Sequence, residues 1–143
     1  MYRQILVAIE NSAADETIVQ HVEALARLAG SRLLLVHVAD GWAARNFKEL
    51  NLRESEEMVA DRAYLQQIED TFAEKGFDVE SILGMGDPAT EICRIASEHN
   101  VDLIAMATHG HHGISDVIHG QTVDHVRHKV PMPVLLLKAR KVK

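Results

Sequence analysis

The sequence predicts an α/β domain built on one open parallel sheet with helices on both faces. The first observation is that short aliphatic runs alternate with segments of helical period along the whole chain. The second is composition. Aromatic residues make up 4 % of the chain and hydrophobic residues 47 %, so the core is aliphatic, as is typical of buried parallel strands. The third is the length of 143 residues, which suits a single domain over residues 1–143.

A strand and a capped helix are expected at the amino-terminal end. The aliphatic run over residues 5–9 predicts the first buried strand. Ser12 and Asp15 have the spacing of a capping box, so we expect the first helix to begin after Ser12. Apolar residues then follow at helical spacing, and Gly30 is the type of residue that ends a helix in the left-handed conformation.

A second strand and helix follow, separated by a longer connection. Another aliphatic run predicts the second strand over residues 33–38. Residues 39–52 show no clear period and predict a long loop around Trp42. The helical pattern returns over residues 54–75, and Gly76 is expected to end that helix.

The third strand has a weaker pattern than the first two. Residues 79–83 partly alternate between apolar and polar, which is typical of a strand at the edge of a sheet. Residues 84–86 contain two glycines and predict a turn. Asp87 and Pro88 are an N-cap residue and a first-turn proline. The helix that they begin is expected to end near His99.

The last part of the chain predicts two more strands and one more helix. The fourth strand is expected at residues 102–106, and a turn rich in glycine and histidine follows it. We expect the last helix to begin at residues 120–122, because glycine is a common residue at helix boundaries. Two prolines precede the fifth strand, which is predicted over residues 134–137.

Charge and cysteine content exclude several classes of function. The formal net charge is −6, whereas a nucleic-acid binder needs a basic face, so no nucleic-acid partner is expected. Basic residues cluster only in the tail, at Lys138, Arg140, Lys141 and Lys143, where a solvated terminus explains them. The single cysteine, Cys93, favours a reducing compartment, and no signal peptide or membrane-spanning run is visible. We therefore expect a cytoplasmic protein without membrane insertion.

Three loops are expected to meet at the carboxyl ends of the strands, where open parallel sheets bind their ligands. They cover residues 8–12, 38–41 and 106–122. Gly110 and Gly120 in the third loop suit a phosphate, because glycine lets the main chain approach an anion and a helix N-terminus attracts negative charge. Neither a P-loop nor a GxGxxG motif is present. A purely structural turn is the alternative explanation of these glycines.

Four segments resemble the universal stress protein family, in family order and spacing over essentially the whole chain. They are residues 5–12, residues 86–92 (GDPATEI), residues 102–110 (DLIAMATHG) and residues 131–135 (PMPVL). The resemblance implies a doubly wound five-stranded sheet of order 3-2-1-4-5, of the adenine nucleotide α-hydrolase-like type. It also implies an adenine-nucleotide-binding stress-response regulator that is dimeric.

The family motif for ATP is Gly, two residues, Gly, nine residues, then Gly followed by Ser or Thr. Here Ala107 takes the first glycine position, Gly110 and Gly120 match, and Gln121 stands at the Ser or Thr position. Glu10 takes the place of a family aspartate after the first strand. By resemblance, the residues expected to bind the nucleotide are Ala8, Ile9, Glu10, Val38, Met106, Ala107, His109, Gly110, Gly120, Gln121 and Thr122.

The departures from the motif affect which nucleotide is expected. Gln121 is larger than serine and would crowd a γ-phosphate, so AMP or ADP is expected to fit better than ATP. Glu10 and Asp40 offer carboxylate oxygens to a Mg²⁺ ion beside the phosphates. A different possibility is a nucleotide-free dimeric interaction module of the same fold, with Gln121 closing part of the cleft.

Nine histidines in the chain allow a further alternative, a metal sensor. Six of them fall in one stretch, at His109, His111, His112, His119, His125 and His128. No HExxH or CxxC motif accompanies them, so we favour surface or hydrogen-bonded roles. His37, within a strand, is expected to be a hydrogen-bonded core residue. No catalytic triad is visible, and nothing predicts more than slow ATP hydrolysis.

The fifth strand predicts an assembly. It is apolar and is expected at a sheet edge, and such an edge tends to find a partner strand. Members of the family commonly dimerise by pairing this strand antiparallel with its copy. We therefore expect a homodimer through Val134, Leu135, Leu136 and Leu137. A further protein partner is expected for a regulator, but the sequence does not identify it.

Overall fold

A computed structural model describes residues 1–39, 56–108 and 114–139 of the chain. In order, the elements are β1 (Gln4–Ala8), α1 (Ala14–Ala29), β2 (Arg32–Ala39), α2 (Glu56–Glu74), β3 (Val79–Met85), α3 (Pro88–Glu98), β4 (Leu103–Thr108), α4 (Ile114–Lys129) and β5 (Val134–Lys138). The loop predicted around Trp42 lies outside the described residues, except for Ala39, which ends β2.

The five strands form one sheet in the order β3-β2-β1-β4-β5, and every neighbouring pair is parallel. This confirms the predicted fold class and strand order. β3 and β5 are the edges, as their patterns indicated. The order reverses between β1 and β4, so the connections leave the sheet in opposite directions from this point.

Alternate residues of the central strands bury against two different helix layers. On one face, Ile5, Val7 and Leu35 pack with α1 and α2. On the other face, Leu6 and Val36 pack with α3 and α4. The period of two along each strand places neighbouring residues in opposite cores, and both cores are aliphatic, as the composition predicted.

Two helix boundaries match their sequence signals. The side chain of Asp87 accepts a hydrogen bond from the Thr90 N–H at 3.0 Å, and Pro88 occupies the first position of α3. Gly30 ends α1 with φ of 70° and donates its N–H to the carbonyl of Ala26. These residues act through local geometry alone, which is why the sequence predicts them well.

Two predictions about glycine are wrong. α4 begins at Ile114, so Gly120 lies inside this helix and does not open it. A glycine in a helix interior costs only about 1 kcal/mol relative to alanine, which neighbouring residues can offset. Similarly, Gly84 and Met85 belong to β3 and pair with Val38 and Ala39, where a turn was expected.

No helix within the described ranges has the length and apolar character needed to cross a membrane.

Candidate functional site

A cleft opens at the carboxyl ends of β1, β2 and β4, beside the point where strand order reverses. Its volume is about 150 Å³. α3 and α4 close it from one side of the sheet. Its lining residues are Ala8, Ile9, Glu10, Val36, His37, Val38, Pro88, Ile92, Met106, Thr122 and Val123.

The walls of the cleft are mainly apolar. Val36, Ile92 and Met106 are buried members of the core between the sheet and the α3–α4 layer. Polar groups enter from only a few positions, among them Glu10 and Thr122. An apolar cleft with a small number of polar groups is typical of a site for a small molecule.

The loop between β1 and α1, which carries Glu10, is held by the buried carboxylate of Asp15. Oδ1 of Asp15 accepts the Glu10 N–H at 2.9 Å. Oδ2 accepts the N–H groups of Asn11 at 2.8 Å and of Ser12 at 3.2 Å. Asp15 is only 3 % exposed. Asp15 therefore does more than the capping box predicted, because it orders the whole loop at the cleft.

Helix α2 supports the same loop from the other side. The Tyr64 hydroxyl donates to Oδ2 of Asp15 at 2.7 Å, and the Asn11 side-chain amide donates to Oδ1 of Asp61 at 3.0 Å. Burial raises the pKa of Tyr64, and the hydrogen bond to Asp15 raises it further. Asn11 adopts φ of 63°, a conformation that asparagine tolerates better than most residues. α2 thus fixes a loop that is distant in sequence.

His37 connects α2 to the end of β1. Its Nδ1 lies 2.7 Å from the carbonyl oxygen of Ile9, and its Nε2 lies 3.2 Å from Oδ2 of Asp61. The histidine and aspartate side chains are 11 % and 8 % exposed. The prediction that His37 is hydrogen-bonded is confirmed. Its expected place in the core is not, because the residue is only partly buried and its ring forms part of the cleft lining.

The cleft brings together six of the eleven residues predicted to bind a nucleotide. They are Ala8, Ile9, Glu10, Val38, Met106 and Thr122. Ala107 is buried in β4 beside Leu137 of β5 and does not line the cleft. Gln121 is exposed on α4, and Gly120 lies one residue before it in the same helix. His109 and Gly110 lie outside the described residues, as does Asp40.

The other lining residues were assigned to the core or to a helix start by their sequence pattern. Val36, Ile92 and Val123 are spaced as core residues, and they are core residues whose outer ends also reach the cleft. Pro88 reaches it because α3 begins at the carboxyl end of β3. The parallel topology was the available signal, since it places α3 and the ends of the central strands on the same side.

Among the described residues, no group of three or more His, Cys, Asp and Glu side chains is arranged to hold a metal ion. His125 and His128 are exposed on α4, and Nδ1 of His128 lies 2.7 Å from the carbonyl oxygen of Asp124. The other four histidines of the sequence cluster lie outside the described side chains. The exposed pair therefore offers no support for the metal-sensor alternative.

Known proteins resemble this chain over its whole length. Universal stress protein MJ0577 of Methanocaldococcus jannaschii is 28 % identical, with 98 % of this chain and 97 % of that protein covered. The solved structure of the MJ0577 protein superimposes with a TM-score of 0.80 and covers 100 % of this chain and 99 % of that one.

Two further solved structures share the fold at lower identity. A universal stress protein in complex with cAMP has a TM-score of 0.72 at 18 % identity, covering 97 % of this chain and 98 % of that chain. The universal stress protein from Archaeoglobus fulgidus in complex with dAMP has a TM-score of 0.70 at 21 % identity, covering 96 % and 98 %. The model of the Universal stress protein family matches residues 1–138. The chain therefore belongs to the universal stress protein family.

Proposed function

We propose that this protein binds an adenine nucleotide in the cleft at the carboxyl ends of β1, β2 and β4. The observation that carries the proposal is the position of this apolar cleft at the switch point of the sheet, with Glu10 and Thr122 at its polar positions. Val38 and Met106 supply apolar surface for a purine ring, and the carboxylate of Glu10 can accept hydrogen bonds from ribose hydroxyls.

The size of the cleft favours the base end of the nucleotide. Its 150 Å³ is smaller than the roughly 300–1,000 Å³ of typical small-molecule sites. We therefore assign the described walls to the adenosine and place the phosphates beyond them, toward residues 109–113. α4 begins directly after these residues, and a helix leaves its first four N–H groups without intrahelical acceptors, which suits an anion.

The two complexes of family relatives support an AMP-type ligand. One of those proteins is in complex with cAMP and the other with dAMP. Both ligands share the adenine ring and a single phosphate. We accordingly expect AMP to bind at least as tightly as ADP, and ATP with Mg²⁺ to bind more weakly.

A binding titration with a filled cleft tests the proposal. Calorimetric titration of the wild type with AMP, ADP and ATP–Mg²⁺ should show one saturable site per chain. Val38→Trp places an indole in the cleft. It should weaken AMP binding by at least about tenfold, because the indole takes the space of the adenine ring, which then loses its apolar contacts with the cleft. The control is Val59→Trp, at a residue 54 % exposed on α2, which should leave affinity unchanged.

The proposal would be contradicted if no nucleotide gave heat in this titration and if denaturing the purified protein released no adenine absorbance. A nucleotide-free interaction module of the same fold would then replace it.

We also propose that two copies pair through β5. It is an edge strand that contacts only β4 within the sheet, and Leu136 is 37 % exposed on it. An apolar edge is a template for a second strand, and antiparallel pairing with its own copy would give a closed two-fold dimer. The same pairing would cover the exposed part of Leu136.

Light scattering after size exclusion tests the dimer. Leu136→Lys should shift the protein from dimer to monomer, because a lysine on an edge strand opposes strand pairing. Leu28→Lys, at a residue 88 % exposed on α1, is the matched control and should stay dimeric. A wild type that is monomeric at every concentration would remove this part of the proposal.

The cellular role that we propose is nucleotide-responsive regulation of a stress response in the cytoplasm. Family membership supports the stress role, and the lone Cys93 is consistent with a reducing compartment. We propose that the nucleotide-bound cleft presents a surface to a protein partner. Crosslinking with and without AMP identifies such a partner by its dependence on the nucleotide.

A further inference from the structure

The ring of His37 is a polar group of the cleft lining that is fixed at both of its nitrogens. Both of its nitrogens face oxygen atoms, the Ile9 carbonyl at 2.7 Å and Oδ2 of Asp61 at 3.2 Å. The Ile9 carbonyl can only accept a hydrogen bond. The second carboxylate oxygen of Asp61 already accepts from the Asn11 side chain at 3.0 Å.

These contacts place a proton on Nδ1 of the ring. The Ile9 carbonyl can only accept, so Nδ1 donates to it at 2.7 Å. A neutral ring with its proton on Nε2 would instead direct the Nδ1 lone pair at the carbonyl oxygen. Nε2 and Oδ2 of Asp61 lie 3.2 Å apart, and one proton between these two atoms satisfies the second contact.

The ring acts on a specific part of the cleft. The peptide unit between Ile9 and Glu10 is held at both ends, its carbonyl by His37 and its N–H by Oδ1 of Asp15 at 2.9 Å. This peptide unit sets the direction in which Glu10 leaves β1. Besides Glu10, ionisable side chains near it include Asp15 from α1 and Asp61 and Tyr64 from α2.

We propose that His37 is a positioning residue of the cleft, whose Nδ1–H holds the Ile9 carbonyl and thereby orients Glu10 toward a bound nucleoside. The orientation of Glu10 toward a nucleoside rests on the proposed function. The hold of His37 on Ile9 is a property of the protein alone.

Labelling of the histidine ring tests the assigned proton. In ¹⁵N-histidine-labelled wild-type protein, we expect Nδ1 of His37 to show the chemical shift of a protonated nitrogen. The same should hold in Asp61→Asn, because an asparagine amide at this position can donate through Nδ2 to Nε2 of the ring. An Nδ1 without a proton in the wild type would overturn the proposal.

Two substitutions of His37 separate its two contacts. The amide nitrogen of asparagine lies near the position of Nδ1 and can still hold Ile9, whereas that of glutamine lies near Nε2 and reaches only Asp61. His37→Asn should keep the AMP affinity and the amide exchange rate of Glu10 within about threefold of wild type. His37→Gln should weaken AMP binding and speed that exchange by about tenfold or more, as expected for loss of the hydrogen bond to the Ile9 carbonyl.

The order of the two variants distinguishes positioning from packing. Glutamine is closer to histidine in size, so a role in packing alone predicts that His37→Gln is the milder change. Amide exchange at Glu10 is measured without nucleotide. If the wild type binds no AMP but exchange follows the expected order, the proposed function fails and the role of His37 stands. If AMP binds and His37→Gln matches wild type in both measurements, the role of His37 is refuted.

Discussion

Asp15 shows how much one buried side chain can organise. The sequence predicts its spacing from Ser12, and that local bond is present at 3.2 Å. The bonds to Glu10 and to the hydroxyl of Tyr64 were not predictable from spacing. Tyr64 is 49 residues away, and no local rule connects a capping residue to a helix that packs against it only after folding.

Asp15→Ala should lower the free energy of unfolding by about 3 kcal/mol or more, because it leaves several N–H groups at the β1–α1 loop without their acceptor. Urea unfolding at neutral pH measures the loss. Asp124→Ala removes an exposed aspartate paired with Arg127 on α4, and should change the stability by less than about 0.5 kcal/mol. Equal effects of the two substitutions would refute the role of Asp15.

Tyr64 predicts a dependence on alkaline pH. Burial and Asp15 raise the pKa of Tyr64, while the unfolded chain releases this proton near the ordinary value of about 10. The folded state therefore binds more protons above that pH, so the stabilisation is complete below pH ~10 and declines as the pH rises further.

Tyr64→Phe isolates this contribution. The variant should be less stable than wild type by about 1.5–3 kcal/mol at pH 8, since it lacks a hydrogen bond to a charged group. The difference should narrow above pH ~10. Urea unfolding of both proteins between pH 8 and 11 measures it, and a difference that stays constant over this range would contradict the assignment.

At the scale of elements, period and termination signals predict nearly the whole fold. All five strands appear within two residues of their expected bounds, because buried parallel strands are continuous aliphatic runs. One failure concerns the start of α1, where Ser12 was expected to be the N-cap residue but Ala13 occupies that position and no side chain caps it. The other failures concern glycine. Gly84 and Gly120 were taken as boundaries, yet one extends β3 and the other lies within α4. A glycine weakens a helix or strand without necessarily ending it. Whether the element continues depends on how well the neighbouring residues pack.

The N-cap of α3 gives a prediction at this scale. Asp87→Ala should reduce stability by about 1 kcal/mol, because the Thr90 N–H loses its acceptor. Asp87→Ser should retain most of the stability, since serine is also a good N-cap residue. Thermal unfolding compares the three proteins. An alanine variant as stable as the serine variant would show that the cap contributes nothing.

At the scale of the molecule, topology determines which predicted site residues meet. Residues after β1, in β2 and in β4 converge because their strands are neighbours around the switch point. Ala107 and Gln121 do not line the cleft, because the motif supplies spacing but not the direction of each side chain. Val36 and His37 line it without any motif. Val36 lines the cleft because of how α3 and α4 pack against the sheet. His37 is held there by its contact with Asp61 of α2.

The central claim, that the cleft holds an adenine nucleotide, is tested most directly by titrating ¹⁵N-labelled protein with AMP and following its amide signals. The claim predicts saturable shifts concentrated at Ile9, Glu10, Val38 and Val123, which line the cleft, and none at Val19 or Thr71 in the groove between α1 and α2. Signals that do not move at millimolar AMP, or that move only in the α1–α2 groove, would contradict it.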